Sequence, residues 1–345
     1  MELQQPARLR QLADEVGIVI IGRNEGERLI GCLMSIDPRK ITTVYVDSGS
    51  TDGSVAAAER LGATVVRLDL ARPFTAARAR NEGFASLKAL RPDIRFVQFV
   101  DGDCELDAGW LPTALAFIAQ HENYAVVCGR RRERCPEASV YNWLCDVEWD
   151  TPIGETSACG GDSLVRMEAF EAVDGFQSQL IAGEEPEFCL RLRQSGWKIW
   201  RLDVDMTRHD AAITRFSQWW RRAVRSGYGY AEVFHHHAGS SAAIWKRELT
   251  RAALWGGLVP LAILLGALVN PIAIVAALIY PLQIGRIAVR KGALMPQSWV
   301  YALFMTLGKF AEFQGVLKYL LRHWRGQPLA LIEYKGTVSR KHRMR

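Results

Sequence analysis

Between Val16 and Asp103 short β-type runs alternate with helical patterns, and no other feature limits the fold as much. Val16–Ile21, Thr43–Val46, Thr64–Leu68 and Arg95–Val100 are apolar and largely β-branched or aromatic, so they read as strands. Gly26–Ile36, Ser54–Leu61 and Ala76–Ala89 carry helical spacing between them. This βαβα rhythm implies a mostly parallel sheet with helices on its faces. In such sheets ligands sit beyond the carboxyl ends of the strands. Asp47 and Asp101 both fall at such ends. From about Ala125 to Arg215 the pattern is less regular, with one helical run, Glu187–Ser195, stopped by Gly196.

Composition changes after Ser241. Ala252–Val269 is wholly apolar, and Pro271–Val289 is nearly so up to Arg286. About 18 helical residues reach about 27 Å, the short end of a membrane span. Asn270 and Pro271 divide the two segments as a helix cap and a first helical residue, which predicts a tight helical hairpin. The flanks are basic (Lys246, Arg247 and Arg251 before, Arg286, Arg290 and Lys291 after), while the central turn carries no charge. Two crossings put both flanks on one side, which the positive-inside rule makes cytoplasmic. The competing reading is a helix pair buried in a soluble core. It ranks second because each segment is apolar around its whole circumference. Trp299–Leu321 is a third apolar stretch, but it contains Lys309, Glu312, Gln314 and Lys318. It reads as an amphipathic helix lying in the membrane interface, with Lys309 and Glu312 spaced to share a face.

The 345 residues carry a net charge of +6. Much of the excess lies beside the apolar segments and in the tail (Lys335, Arg340, Lys341, Arg343, Arg345), which favours an anionic membrane face over nucleic acid. Seven cysteines are scattered without a CxxC pair, so neither a disulfide framework nor a zinc ribbon is expected. The polar start, MELQQPARLRQLADE, has no apolar core of a signal peptide. The expected organisation is a polar tail (1–15), two halves of an α/β domain (16–125 and 126–240), a membrane hairpin (241–292), and an amphipathic helix with a basic tail (293–345).

Several groups carry chemistry. Asp101-Gly102-Asp103 follows a strand, where two carboxylates around a glycine can hold a divalent cation against a pyrophosphate. Asp47 opens the turn DSGSTDG and can accept from a base N–H, whereas Asp52 reads as a helix cap. One of Arg78 and Arg80 can pair with a diphosphate and the other belongs to a solvated helix face. In Gly183-Glu184-Glu185-Pro186-Glu187 a carboxylate can take a proton from a hydroxyl, though acidic residues also suit a first helical turn. In Gln218-Trp219-Trp220-Arg221-Arg222 the aromatics and guanidiniums can stack on sugar or grip phosphate, or can form an interfacial helix. By residue type alone, His209 in Arg208-His209-Asp210 is more often structural than a ligand, and His235-His236-His237 is assigned no role.

Taken in order, these segments resemble the family 2 glycosyltransferases over about residues 16 to 235. VGIVIIGRNEGERLIGCLMSI looks like the opening strand, Asn-Glu loop and helix of that family. VYVDSGSTDGS resembles its nucleotide-binding turn, ARARNEGF its Ala-Arg-Asn-x-Gly helix and FVDGDCEL its DxD segment. GGDSLVRMEAFEAVDGF followed by GEEPEFCLRLRQSGW is similar to its acceptor side and acidic motif. The resemblance implies a GT-A fold, a Rossmann-like sheet with helices on both faces, a nucleotide-sugar donor and Mg²⁺ or Mn²⁺. It places Arg23 and Glu25 in the nucleoside loop, Asp47 at the base and Arg80 on the diphosphate side. Asp101 and Asp103 match the DxD pair, with Asp103 the better metal ligand and Asp101 also facing the nucleotide sugar. Glu185 takes the place of the general base, with Glu184 before it, and His209 that of a histidine near the metal. Arg221 is assigned to the nucleotide sugar.

Three departures stand out. Ser48 replaces a common second aspartate, Glu185 replaces the usual aspartate, and Arg222 replaces the tryptophan of a Gln-x-x-Arg-Trp signature of processive synthases. The resulting expectation is inverting transfer from a nucleotide-diphosphate sugar, UDP-linked first, to a lipid-linked or saccharide acceptor at the cytoplasmic face of the cell inner membrane. Two alternatives differ in class. A sugar nucleotidyltransferase would need a glycine-rich basic loop after the first strand, where this chain has Gly22-Arg23-Asn24-Glu25-Gly26-Glu27. A non-enzymatic membrane adaptor would tolerate loss of DGD and EEPE, and both are intact.

Overall fold

The computed structural model describes residues 14–72, 74–237 and 244–326. The N-terminal tail expected at 1–15, Asp14 and Glu15 aside, and the basic tail beyond 326 lie outside the described residues. The rest divides into two compact units between Thr214 and Arg215.

Among the described residues the first unit holds nine strands: β1 (Val16–Gly22), β2 (Thr43–Asp47), β3 (Thr64–Arg67), β4 (Phe96–Asp101), β5 (Cys104–Leu106), β6 (Tyr124–Glu133), β7 (Gly154–Glu155), β8 (Ser163–Arg166) and β9 (Lys198–His209). They form one sheet in the order β3-β2-β1-β4-β8-β6-β9-β5, with β7 on β9. The first four are parallel. β8 is inserted antiparallel to both β4 and β6, and β6 and β9 run parallel again. The helices are α1 (Glu27–Ile36), α2 (Ser54–Leu61), α3 (Ala76–Leu90), α4 (Trp110–Gln120), α5 (Val140–Trp149), α6 (Met167–Ala172) and α7 (Glu184–Gln194).

β1 shows why its sequence is apolar without alternation. Val19 and Ile21 enter one core cluster, with Phe84 and Leu87 of α3 and Phe188 of α7. Val16, Ile18 and Ile20 enter the other, with Leu29 and Leu33 of α1 and Trp110 of α4. Successive side chains point to opposite faces, and helices cover both. Each fully buried aliphatic or Phe side chain contributes about 1.5–3 kcal/mol. α3 comes so close to the sheet that a Cβ on Gly83 would overlap Val19. The Trp110 indole, wholly buried, donates to Gln98 Oε1 at 2.7 Å, so its one polar atom is satisfied.

The second unit is helical: α8 (Phe216–His236), α9 (Lys246–Ala253), a π-type turn (Leu254–Leu258), α10 (Val259–Val269), 3₁₀ turns (Pro271–Leu278), α11 (Ile279–Gly292) and α12 (Pro296–Trp324). α8 packs on α12 at glycines: a Cβ on Gly227 would strike the Glu312 carbonyl, and one on Gly315 the Val224 carbonyl. Asn270 caps the second apolar segment, accepting from the Ile272 N–H at 3.0 Å, with Pro271 in the first turn. The expected hairpin is present, although its second arm begins as 3₁₀ turns. Tyr280 Oη donates to the Trp255 carbonyl inside the π-type turn (2.8 Å). Lys246–Val269 and Pro271–Gly292 are long and apolar enough to cross a membrane. Leu268 is 83% exposed, Val269 89% and Ile272 74%, so these helices are not buried among the described residues. On α12 the Lys309 Nζ reaches Glu312 at 2.6 Å, the i,i+3 pair expected from spacing. The division at Thr214 precedes the change of composition at 241 because α8, polar in sequence, packs on α12.

Candidate active site

Strands β1, β2 and β4 end side by side, Gly22 opposite Asp47 and Ile21 opposite Asp101. The Gly102 N–H donates to the Ile21 carbonyl (2.8 Å), and the chain turns at once into β5. β5 pairs with β9, Cys104 opposite His209. This register brings His209 Nε2 to 3.3 Å from Asp103 Oδ2. On the other side of the ring Glu133 Oε2 lies 3.6 Å from Nδ1. Glu133 is fixed by the Ala211 N–H (3.1 Å), the Cys135 N–H (3.3 Å) and Asn142 Nδ2 (3.2 Å). All three side chains are buried. Burial holds the His209 imidazole below its ordinary range, so the ring is neutral at neutral pH. With a cation beside Asp103, the Glu133 carboxylate would keep the ring proton on Nδ1 and leave the Nε2 lone pair to that cation. Asp103, Cys104 and His209 offer ligand atoms all within 4.8 Å of one another. A carboxylate oxygen and an imidazole lone pair facing each other fit Mn²⁺ well, and Mg²⁺ through the oxygen.

Asp101 has a different environment. Its Oδ1 accepts from Arg80 (2.7 Å) and its Oδ2 from Arg131 (2.9 Å). Burial pushes its carboxyl up, but the two guanidiniums outweigh that and hold it far below the usual carboxylate range. Asp162, fully buried, supports the pair: it accepts from the Asp101 N–H (2.9 Å), Arg131 (2.6 Å) and Thr207 Oγ1 (2.7 Å). Arg80 also reaches Glu184 Oε1 at 2.9 Å. Gly161 passes so close that a Cβ would lie 2.8 Å from the Arg80 Nη2.

The remaining loops meet at the same strand ends. Asn24, at φ 55°, accepts from the Thr51 N–H (2.7 Å) and donates its own N–H to Ser50 Oγ (2.9 Å), tying the β1 loop to the β2 turn. Arg23 stacks over Phe74 (4.6 Å), and Glu25 pairs with Arg28 (2.7 Å). Asp47 is buried and accepts from Gly49 N–H (3.0 Å), Ser50 N–H (3.0 Å) and Tyr45 Oη (3.3 Å).

Residues 17–170 match the model of Glycosyl transferase family 2. A mannosyltransferase from Pyrobaculum calidifontis, solved with GDP-Man and Mn²⁺, superposes with a TM-score of 0.56 at 19% identity, over 92% of this chain and 94% of that one. This chain carries a glycosyltransferase family 2 domain over residues 17–170, on a GT-A fold. The glucosyl-3-phosphoglycerate synthase of Mycobacterium tuberculosis superposes more loosely, with a TM-score of 0.46 at 17% identity over 68% of this chain and 85% of that one. No curated protein sequence matches the chain.

In this glycosyltransferase the structure groups Asp101, Asp103, Arg80, Glu184 and His209. Glu185, in the first turn of α7, is held against the loop before β8: Oε1 accepts from the Cys159 N–H (2.5 Å) and from Cys189 Sγ on its own helix (3.1 Å). Arg78 is the structural partner of the two arginines, donating to the Asp69 (2.9 Å) and Arg72 (3.2 Å) carbonyls. Arg221 belongs to the second unit, exposed on α8, where its Nε donates to Ser217 O (3.2 Å). Gln218 caps the same helix through the Arg215 N–H (3.0 Å), and Trp220 donates to Gln314 (2.8 Å). Sequence reasoning gave no role to Asp162, Arg131 or Glu133, and took Asn24 only as part of the Asn-Glu loop. Asp162 follows Gly160-Gly161 and Arg131 sits in an arginine run, both ordinary patterns until β6, β8 and β9 are placed together.

Proposed function

We propose that the chain carries out inverting transfer of a hexose from a nucleotide-diphosphate sugar to a lipid-linked or saccharide acceptor at the cytoplasmic face of a membrane. The observation that carries this is the convergence of Asp103 and His209 beside the strand ends of a family 2 domain. Asp103 and His209 hold Mg²⁺ or Mn²⁺, because both Asp101 oxygens are already committed to arginines. When bound, the cation neutralises charge growing on the leaving diphosphate. Glu133 orients His209, and Asp162 with Arg131 orients Asp101. Arg80 offers its fork to the diphosphate from between Asp101 and Glu184. Asp47 holds the β2 turn at the place of the base, with Arg23 and Glu25 on the neighbouring loop.

Glu185 takes the proton of the acceptor hydroxyl as that oxygen attacks the anomeric carbon from the face opposite the diphosphate. With a polyprenyl phosphate the attacking oxygen is already anionic and the base matters less. Membrane attachment is supported by the two long apolar helices with outward apolar faces and basic flanks. A UDP-sugar is the first donor to test, and a GDP-sugar, bound by the Pyrobaculum mannosyltransferase, is the second.

Calorimetry on detergent-solubilised chain with UDP, GDP, CDP and dTDP, each with and without Mn²⁺, tests the reading. One nucleotide is expected to bind in a metal-dependent way, and Asp103→Asn is expected to lose that binding. Metal-independent binding in both chains would sink the cation assignment.

A further inference from the structure

Beside the strand-end cation site lies a second cluster with a different donor set. Cys159 sits in the loop before β8, and Cys189 lies on α7 one turn beyond Glu185. Their sulfurs are 3.6 Å apart, and Cys189 Sγ lies 3.1 Å from Glu185 Oε1. All three ligand atoms fall within 4.8 Å of one another. A tetrahedral cation with bonds of about 2.3 Å to sulfur and about 2.0 Å to oxygen needs sulfurs about 3.8 Å apart and sulfur–oxygen edges of about 3.5 Å. Two edges of such a site, sulfur to sulfur (3.6 Å) and Cys189 to Glu185 (3.1 Å), therefore already match to within a few tenths of an ångström, and the third lies within 4.8 Å. Cys189 and Glu185 are buried, whereas Cys159 is partly exposed.

We propose that Cys159, Cys189 and Glu185 bind one thiophilic divalent cation of the Zn²⁺ or Cd²⁺ class, and that occupation withdraws Glu185 from proton transfer. Two sulfur ligands select against Mg²⁺ and Mn²⁺, which favour oxygen, so this site is chemically separate from Asp103 and His209. Burial pushes the Cys189 thiol well above its ordinary range, so it is protonated until a cation arrives. Binding releases the two thiol protons and replaces the Cys189 hydrogen bond to Glu185 with a metal–oxygen bond. The consequence for turnover rests on the Glu185 reading above, but the site itself does not.

The test is a Cd²⁺ titration of the whole detergent-solubilised chain, followed by the ultraviolet thiolate-to-cadmium charge-transfer band. Saturating Mg²⁺ is present throughout, with nucleotide diphosphate in the band titration and donor sugar in its place in the turnover assay, to occupy the single-thiol group at Cys104. A prior count of seven free thiols establishes that the chain is reduced. One Cd²⁺ per chain is expected. Cys159→Ser and Cys189→Ser should each lose about half the band and weaken binding tenfold or more, while Cys104→Ser changes neither. Turnover in the wild type should fall as the band grows, and in Cys189→Ser it should hold at its own untreated rate over the same range. An undiminished band in Cys189→Ser, or no band in the reduced wild type, would overturn the site. Normal turnover in Glu185→Gln alongside a wild-type band would break the base assignment and leave the cation site standing.

Discussion

The two units invert each other's chemistry. In the sheet unit the charges are inside: Arg80, Asp103, Glu133, Asp162 and His209 are all buried, Arg80 against Glu184, Asp162 against Arg131, and His209 between Asp103 and Glu133. In the helical unit large apolar side chains face outward along α10 and the turns that follow, with Leu264 62% exposed and Leu268 83%. A buried charge is tolerated only with a partner, so the sheet unit is a preorganised polar site. Apolar side chains exposed in this way fit a non-aqueous surrounding, and the helical unit is the proposed anchor.

Substitutions can break this contrast. Asp103→Asn should act only on the polar site, lowering turnover by several kcal/mol, on the order of 10⁴-fold, with unchanged vesicle association. Steady-state kinetics and flotation would check both. For Glu185→Gln the expected loss is about 10²–10⁴-fold in kcat with donor affinity kept, which calorimetry beside kinetics separates. Removing Asp162 with alanine strips Arg131 of its closest carboxylate, and the denaturant midpoint should report a loss of about 3–5 kcal/mol. Leu264→Arg reverses the test: nucleotide binding should be unaffected, while insertion into lipid vesicles weakens by about 3 kcal/mol. Equal flotation of that variant would remove the membrane reading of α10. The smallest effect is at the cap, where Asn270→Ala should cost about 1 kcal/mol of helical stability, read by thermal melting in detergent.

Much of this was legible in the sequence. The βαβα rhythm gave β1 to β4 and α1 to α3 within a few residues, because strand and helix periodicities are local properties. The hairpin at Asn270-Pro271 was legible for the same reason, as was the Lys309–Glu312 pair. The insertion of antiparallel β8 was not, since it depends on pairing with residues far away in the chain. For the same reason α8, polar in composition, was expected with the acceptor half but packs within the helical unit on glycines of α12.

By itself, the sequence determined which carboxylates stand at strand ends, because a strand's end is marked where apolar residues stop. Only the tertiary structure decided what each carboxylate does. Asp101 and Asp103 are two residues apart and alike in chemistry, yet one is enclosed by two arginines and the other faces a neutral histidine. That difference arises from β9 pairing with β5 and β6, which brings His209, Arg131 and Glu133 to one place. Electrostatic environment depends on distance in space, and sequence separation does not report it.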